Sequence, residues 1–276
     1  MKIGIVGLGL IGGSLAKSIK HNTPHTVWGM NRTKDVVTRA IMCEAIDDEL
    51  TEEMIPKCDV ILVSLYPQLC VDWITAHADR FAPGALVVDC AGVKRAVTGP
   101  LFELAKGKDW TYIGGHPMAG REFSGFTYAK DNLFENASMI LTPEKDIDID
   151  TLSRAKNFFL DAGFKIVRIT TPEEHDNMIS YTSQLAHIVS GAYVKNPRSA
   201  EHKGFSAGSF KDMTRVARLN EDMWTELFLD NADLLVPSLD DLIYRLGQYR
   251  DALADRDAGT LHELLKEGRL KKEALD

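Results

Sequence analysis

His116 is one of 8 histidines among 276 residues, and it sits in Gly114-Gly115-His116-Pro117-Met118-Ala119-Gly120, a run of turn-forming residues. An imidazole there could take or give a proton near neutral pH. The flanking glycines leave room for a bound molecule, and Pro117 restricts the backbone. Read by type alone, His116 is either such a proton-transfer group or a loop histidine bonded to nearby backbone. A second run with chemical content is Gly7-Leu8-Gly9-Leu10-Ile11-Gly12. Its GxGxxG spacing supplies one glycine for a tight turn, one for close approach of backbone to a pyrophosphate, and one for close helix–strand packing.

Both runs need particular elements around them. The glycine loop directly follows KIGIV and directly precedes a helix-like segment, which is the strand–turn–helix context a dinucleotide site requires. The opening residues could also pass for a signal peptide, but the glycine offsets and the helical tail Ser14–Lys20 favour a folded element. KIGIVG, TVWGM, VILVSL, ALVVDC, TYIGG, SMILT and KIVRIT are short Val- and Ile-rich runs, most of them separated by stretches of helical length. They predict a mostly parallel sheet with crossover helices over Leu15–His21, Lys34–Ala45, Cys70–Arg80 and Arg95–Leu104. TYIGG reads as the last strand of the parallel series, which puts His116 just past a carboxyl end, on the edge that faces the ligand crevice.

After Thr171-Pro172 the β-branched runs give way to long amphipathic segments: Glu173–Val194, Ser206–Val216, Asp222–Asp255 and Ala258–Leu275. Thr171 reads as a helix N-cap, Pro172 as first-turn proline, and Glu173 and Glu174 as acids near the positive end of the helix dipole. The predicted fold class is α/β, an N-terminal Rossmann-type doubly wound sheet (1–171) followed by an all-helical domain (172–276).

The formal charge is −8, from 32 Lys and Arg against 40 Asp and Glu. That balance argues against nucleic acid or an anionic membrane as partner. No segment reaches about 18 uninterrupted apolar residues, so no membrane span is expected. Cys43, Cys58, Cys70 and Cys90 form neither a CxxC pair nor a disulfide framework, which fits a cytoplasmic chain with reduced thiols and no metal site.

Within the nucleotide half, the second strand leads into Asn31-Arg32-Thr33, where an NAD site would carry an acid for the ribose 2′-hydroxyl about 20 residues past the loop. Asn31, Arg32 and Thr33 can instead offer donors and positive charge to a 2′-phosphate. NADP is therefore the expected cofactor, with NAD the alternative. Ser64, at the end of VILVSL, and Gly92 join Gly7, Leu8, Gly9, Leu10, Ile11 and Gly12 in the expected cofactor set.

GLGLIGGS near the N-terminus, DCAGVK at Asp89–Lys94, GGHPMAGRE at Gly114–Glu122, EEHD at Glu173–Asp176, SQLAH at Ser183–His187, DMTRVA at Asp212–Ala217 and Met223-Trp224 occur in that order along nearly the whole chain. In this the sequence resembles the prephenate/arogenate dehydrogenase family of tyrosine biosynthesis. The resemblance implies a dinucleotide-binding domain, a helical domain that forms a homodimer, and an active site in the cleft between them. It implies oxidative decarboxylation of a cyclohexadienol, with hydride passing from C4 to nicotinamide. His116 matches the family's catalytic histidine, and Arg215 its substrate-binding arginine. Gln184, His187 and Arg121 are the further expected substrate contacts; Arg218 is an alternative to Arg215 that matches no motif position.

Three positions depart from the family's pattern. Gly92 stands where relatives often carry Ser, Gln184 replaces the first histidine of SHLPH, and Arg121 follows GGHPMAG where others carry Thr or Ser. Prephenate is the expected substrate because no decisive acid is present to meet the ammonium of arogenate, which is the alternative. A β-hydroxyacid dehydrogenase would need a lysine on the first long helix of the second domain, and none precedes Lys195. A nucleotide-sensing module is the non-catalytic alternative. Leu234, Leu235, Leu239, Leu242, Ile243 and Leu246 form a helical stripe that fits a homodimer interface. No appended regulatory domain is expected after Gly247.

Overall fold

The computed structural model describes residues 1–120 and 123–275. Strands β1 (Lys2–Val6), β2 (Thr26–Met30), β3 (Asp48–Glu49), β4 (Val60–Val63), β5 (Leu86–Asp89), β6 (Thr111–Pro117), β7 (Ser138–Pro143) and β8 (Ile166–Ile169) form one sheet in the order β3-β2-β1-β4-β5-β6-β7-β8. Every neighbouring pair is parallel except β6 with β7.

Side chains alternate across the pleat, so each strand feeds two cores. Ile3, Ile5, Val60, Leu62, Leu86, Val88 and Ile113 fill one face, with Leu15 and Ile19 of α1 (Leu10–Asn22), Val37 of α2 (Lys34–Met42), and Phe158 and Phe159 of α5 (Ile149–Asp161). Val6, Ile61, Val63, Val87 and Tyr112 fill the other, under Ile74 of α3 (Pro67–His77) and Leu101 of α4 (Arg95–Ala105). Burial on both faces is why these strands read as continuous apolar runs.

Two elements depart from the sequence expectation. Strand β3 is two polar residues at the sheet edge, paired through Trp28 with Asp48, and carries no apolar run to betray it. Helix α5 fills the span between SMILT and KIVRIT, where no helix is predicted.

The helical half comprises α6 (Pro172–Ile179), a π-helical segment Ser180–Leu185, α7 (Ala186–Val194), α8 (Gly208–Thr214), α9 (Glu221–Asp230), α10 (Ala232–Ala254) and α11 (Ala258–Glu273). Thr171 Oγ1 accepts from Glu174 N at 3.2 Å with Pro172 in the first turn, as the sequence suggests. The amphipathic segment Asp222–Asp255 is divided between two helices at Asn231, which is fully buried. Its Nδ2 donates to Asp176 O and to Gln184 Oε1, at 3.0 and 2.8 Å. Among the described residues no helix is long and apolar enough to cross a membrane.

Two carboxylates of the helical half sit on helix N-termini of the sheet half. Asp176 accepts from the backbone N–H of Lys94 and of Arg95 at the start of α4, at 2.7 and 2.8 Å. Glu226 accepts from Gln68 N at the start of α3, at 2.7 Å. Each meets donors that have no partner within their own helix, at the positive end of its dipole.

Candidate active site

The chain leaves β1 toward β2 and β3, then returns to β4 on the other side of β1, so a crevice opens at the carboxyl ends of β1 and β4. Gly7 lies at one end with φ of +88°, a conformation L side chains avoid. A Cβ on Gly12 would lie 1.9 Å from Gly7 O, so the third glycine is required by packing. A Cβ on Gly9 would meet nothing within 4 Å, which leaves that backbone open to a ligand. Helix α1 starts from Gly9 without a side-chain cap. At the end of β4 the Ser64 hydroxyl is buried with no hydrogen-bond partner of proper geometry, although the Cys90 thiol lies beside it. An open backbone turn, an uncapped helix N-terminus and an orphaned hydroxyl together fit the pyrophosphate of a dinucleotide.

At the end of β2, Asn31 Oδ1 accepts from Leu8 N at 3.1 Å and so braces the glycine loop. Arg32 and Thr33 are exposed, and Thr33 occupies the N-cap of α2 without a side-chain capping bond. Of the three residues expected near a 2′-phosphate, Asn31 is thus committed to the loop. Arg32 and Thr33 keep their side chains outward.

His116 lies within β6, opposite Ile140 of β7, rather than past the strand's end. The two preceding glycines are needed for packing, not for substrate room. A Cβ on Gly114 would come 2.3 Å from Thr142 Oγ1, and one on Gly115 would come 2.5 Å from Asp89 O. His116 Nε2 faces the Gly92 loop, where an added Cβ would stand 3.9 Å from that nitrogen and a tight 3.2 Å from Leu227 Cδ2. His116 Nδ1 is 2.8 Å from His175 Nε2, and His175 Nδ1 is 2.7 Å from Asp176 Oδ1. Burial, then the neighbouring His175 and Lys94, hold His116 well below the ordinary imidazole range. Burial also lowers His175, against the opposing pull of Asp176. In Asp176 itself burial pushes the carboxyl upward, but hydrogen bonds from His175 and from the N–H groups of Arg95 and Lys94 outweigh it and leave the group below its usual value.

The strand behind His116 is fixed by a buried ion pair. Lys94 and Asp89 are each 0% exposed and hydrogen-bonded to one another. Lys94 Nζ also donates to Gly115 O at 2.5 Å. Asp89 further accepts from Tyr112 Oη at 2.7 Å, Ala91 N at 3.0 Å and Gly115 N at 3.2 Å. With its charge compensated and its lone pairs occupied, the pair holds Gly115, and with it the backbone at His116, in one place.

On the helical side, His187 Nδ1 is 2.9 Å from Val216 O, and its ring lies 3.9 Å from that of Trp224. Burial lowers its pKa and the Arg215 charge adds to that; the bond to Val216 opposes both. His187, Arg215 and Trp224 thus form one cluster. Arg215 is exposed and opens a short 3-10 turn. Arg218 instead lies over the Phe123 ring at 5.0 Å.

Gln184 revises an expectation. It is fully buried, donates to Leu227 O at 2.8 Å and accepts from Asn231, so its amide is consumed by the fold and unavailable to a substrate. Gln184 sits in the π-helical segment, whose register differs from the 3.6-residue α-helix that follows with His187. Arg121 lies outside the described residues. His175, Asp176, Lys94 and Asp89 are the residues that sequence reasoning did not place in the site. The adjacent His-Asp of EEHD was the available signal, and its partner lies 59 positions away.

A doubly wound sheet with a glycine turn suited to a dinucleotide, joined at its carboxyl edge to a helical domain, has the architecture of a dinucleotide-binding protein. The nucleotide-binding domain model of prephenate dehydrogenase matches residues 15–168, and the dimerization domain model matches residues 171–267. The chain belongs to the prephenate dehydrogenase family. It is 31% identical to the prephenate dehydrogenase of Bacillus subtilis over 271 residues, covering 95% of this chain and 72% of that protein. It is similar to the crystal structure of A. aeolicus prephenate dehydrogenase in complex with hydroxyphenyl propionate and NAD+, with TM-score 0.85, 28% identity and coverage of 100% and 98% of the two chains. The arogenate dehydrogenase of Synechocystis is similar at TM-score 0.82 and 28% identity, with both chains covered in full.

Proposed function

We propose that the chain oxidises and decarboxylates prephenate to 4-hydroxyphenylpyruvate, using NADP, with residues 1–171 holding the dinucleotide and 172–276 completing the substrate site. The observation that carries this reading is His116, an imidazole kept neutral by burial at the sheet's carboxyl edge, with Nε2 facing the Gly92 loop and Nδ1 on His175. Gly7–Gly12 and Ser64 would hold the pyrophosphate, with Gly92 beside the reacting end. Bound nicotinamide supplies the acceptor for the hydride that leaves C4. As C4 loses it, the substrate hydroxyl becomes acidic and its proton moves to His116. Loss of carbon dioxide from C1 returns an electron pair to the ring, and the resulting phenolate oxygen recovers the proton. Proton and charge therefore balance without a further reactant.

Prephenate is favoured by the name of the Bacillus subtilis relative and by the want of a motif acid for an ammonium. The Synechocystis relative makes arogenate the alternative. A steady-state matrix of the two substrates against NADP and NAD tests the whole reading, and no turnover in any cell of it overturns it.

NADP is favoured by Arg32, which is exposed beside the end of β2 where no acid stands. The NAD+ complex of the A. aeolicus relative keeps NAD as the alternative. Arg32→Ala is expected to raise the Michaelis constant for NADP by about tenfold, one lost charge-assisted contact, and that for NAD by much less. Equal effects on both cofactors would remove Arg32 from phosphate recognition.

Arg215 and His187 are assigned to the substrate's carboxylates, the guanidinium through its planar two-pronged geometry. Arg215→Ala should raise the Michaelis constant for prephenate by about 10–100-fold with a smaller change in kcat, since an interaction present in ground and transition states alike is lost. A pure kcat defect in initial-rate measurements would contradict that role. We also assign a homodimer to the helical half. Val236, Ile243, Leu246 and Leu253 of α10 are between 54% and 61% exposed and lie on one side of the helix, an apolar face suited to a second copy, whereas Leu235 of the expected stripe is buried.

A further inference from the structure

We infer that His175 and Asp176, carried by α6 of the helical half, are positioning residues that fix the tautomer of His116 and leave its Nε2 as the proton acceptor. The inference rests on His116 being the base. An ionised carboxylate can only accept hydrogen bonds. Asp176 does so from Lys94 N, Arg95 N and Arg95 Nε as well as from His175. The hydrogen on a neutral His175 must therefore be at Nδ1, 2.7 Å from Asp176 Oδ1. Its Nε2 is then bare and can only accept. The 2.8 Å contact with His116 is a hydrogen bond only if His116 Nδ1 donates it.

One ionised carboxylate thus dictates two proton positions in sequence. The lone pair of His116 emerges at Nε2, the atom that looks toward the Gly92 loop. The opposite tautomer would set two lone pairs against each other at 2.8 Å. The same chain serves the imidazolium that forms when the substrate hydroxyl gives up its proton. Its Nδ1–H already points at an acceptor backed by a negative charge.

The test uses the full chain with His175→Leu, which removes the acceptor, and His175→Gln, whose Oε1 can accept from Nδ1. His175→Leu is expected to lower kcat by about 10²–10³-fold with the Michaelis constant for prephenate within about threefold. His175→Gln is expected to recover at least about tenfold of that loss, because the amide oxygen restores the tautomer. Long-range proton–nitrogen NMR of the histidine-labelled wild-type protein, with His116→Asn to assign the signals, is expected to show hydrogen on Nδ1 and a bare Nε2 in His116. A wild-type turnover number in His175→Leu, or hydrogen on His116 Nε2 in the wild-type spectrum, overturns the inference. Should His175→Leu fail to fold, the wild-type spectrum still decides. The two readings separate cleanly. Full activity in His116→Asn would end the assignment of the base itself, whereas an inactive His116→Asn beside a fully active His175→Leu would end only the role of the relay.

Discussion

His116→Asn is expected to lower kcat by about 10²–10⁴-fold while changing the Michaelis constant for prephenate far less, the pattern of a lost proton acceptor rather than lost binding. Cradle, substrate cluster and strand backbone all survive the change, so residual turnover reflects positioning alone. The pH profile carries a second signature. Burial holds His116 below the ordinary histidine value of about 6.5, so its basic form persists to lower pH than a free imidazole would allow. Protonation abolishes the base, so kcat/KM falls as pH drops through the lowered value. The acid limb should therefore lie below about 6.5 in the wild-type enzyme and be missing in the variant. A variant that kept the limb at reduced amplitude would assign that ionisation to another group.

The second large effect concerns stability. Lys94→Met is expected to cost about 3–5 kcal/mol in urea unfolding, because it leaves the carboxylate of Asp89, with no exposure to solvent, without its countercharge. Hydrogen bonds from Tyr112, Ala91 and Gly115 remain but do not neutralise it. Adding Asp89→Asn to Lys94→Met should recover a large part of the loss, since no buried charge is then left alone. A Lys94→Met protein as stable as wild type would show that the interior at this point is far more polar than the burial of the pair implies.

Much of the fold can be read along the chain because its signals are local. The glycine loop needs only three residues at fixed offsets, and the start of α6 only Thr171, Pro172 and the acids after them. Strands buried on both faces announce themselves as apolar runs. Strand β3 has no such mark, being two acidic residues held by the register of β2. The proposed catalytic apparatus is harder to read for a physical reason. His116 stands out by its loop and its motif, but its partners are fixed by tertiary contacts, His175 at 59 positions and the backbone caps on Asp176 at 81 and 82. The glycines beside His116 illustrate the same limit. Their emptiness suggests space for a ligand, whereas Thr142, Thr98 and Asp89 already occupy it. Gln184 differs for yet another reason, since its amide is taken by Leu227 and Asn231, 43 and 47 positions away.

The ties between the two halves gather at two places, the start of α3, with Glu226 on Gln68 N and Asn220 beside Tyr66, and the start of α4, with Asp176 on Lys94 N and Arg95 N and with Asn231 and Asp233 on the Arg95 guanidinium. Two pins on a rigid body leave it a single hinge line, the one that joins them. Any widening of the cleft that keeps both pins is a swivel about that line, and a point sweeps an arc in proportion to its distance from it. The imidazole of His175 is next to one pin and travels least. Whatever swivel the halves make about that line, the pair of rings beside it stays in register.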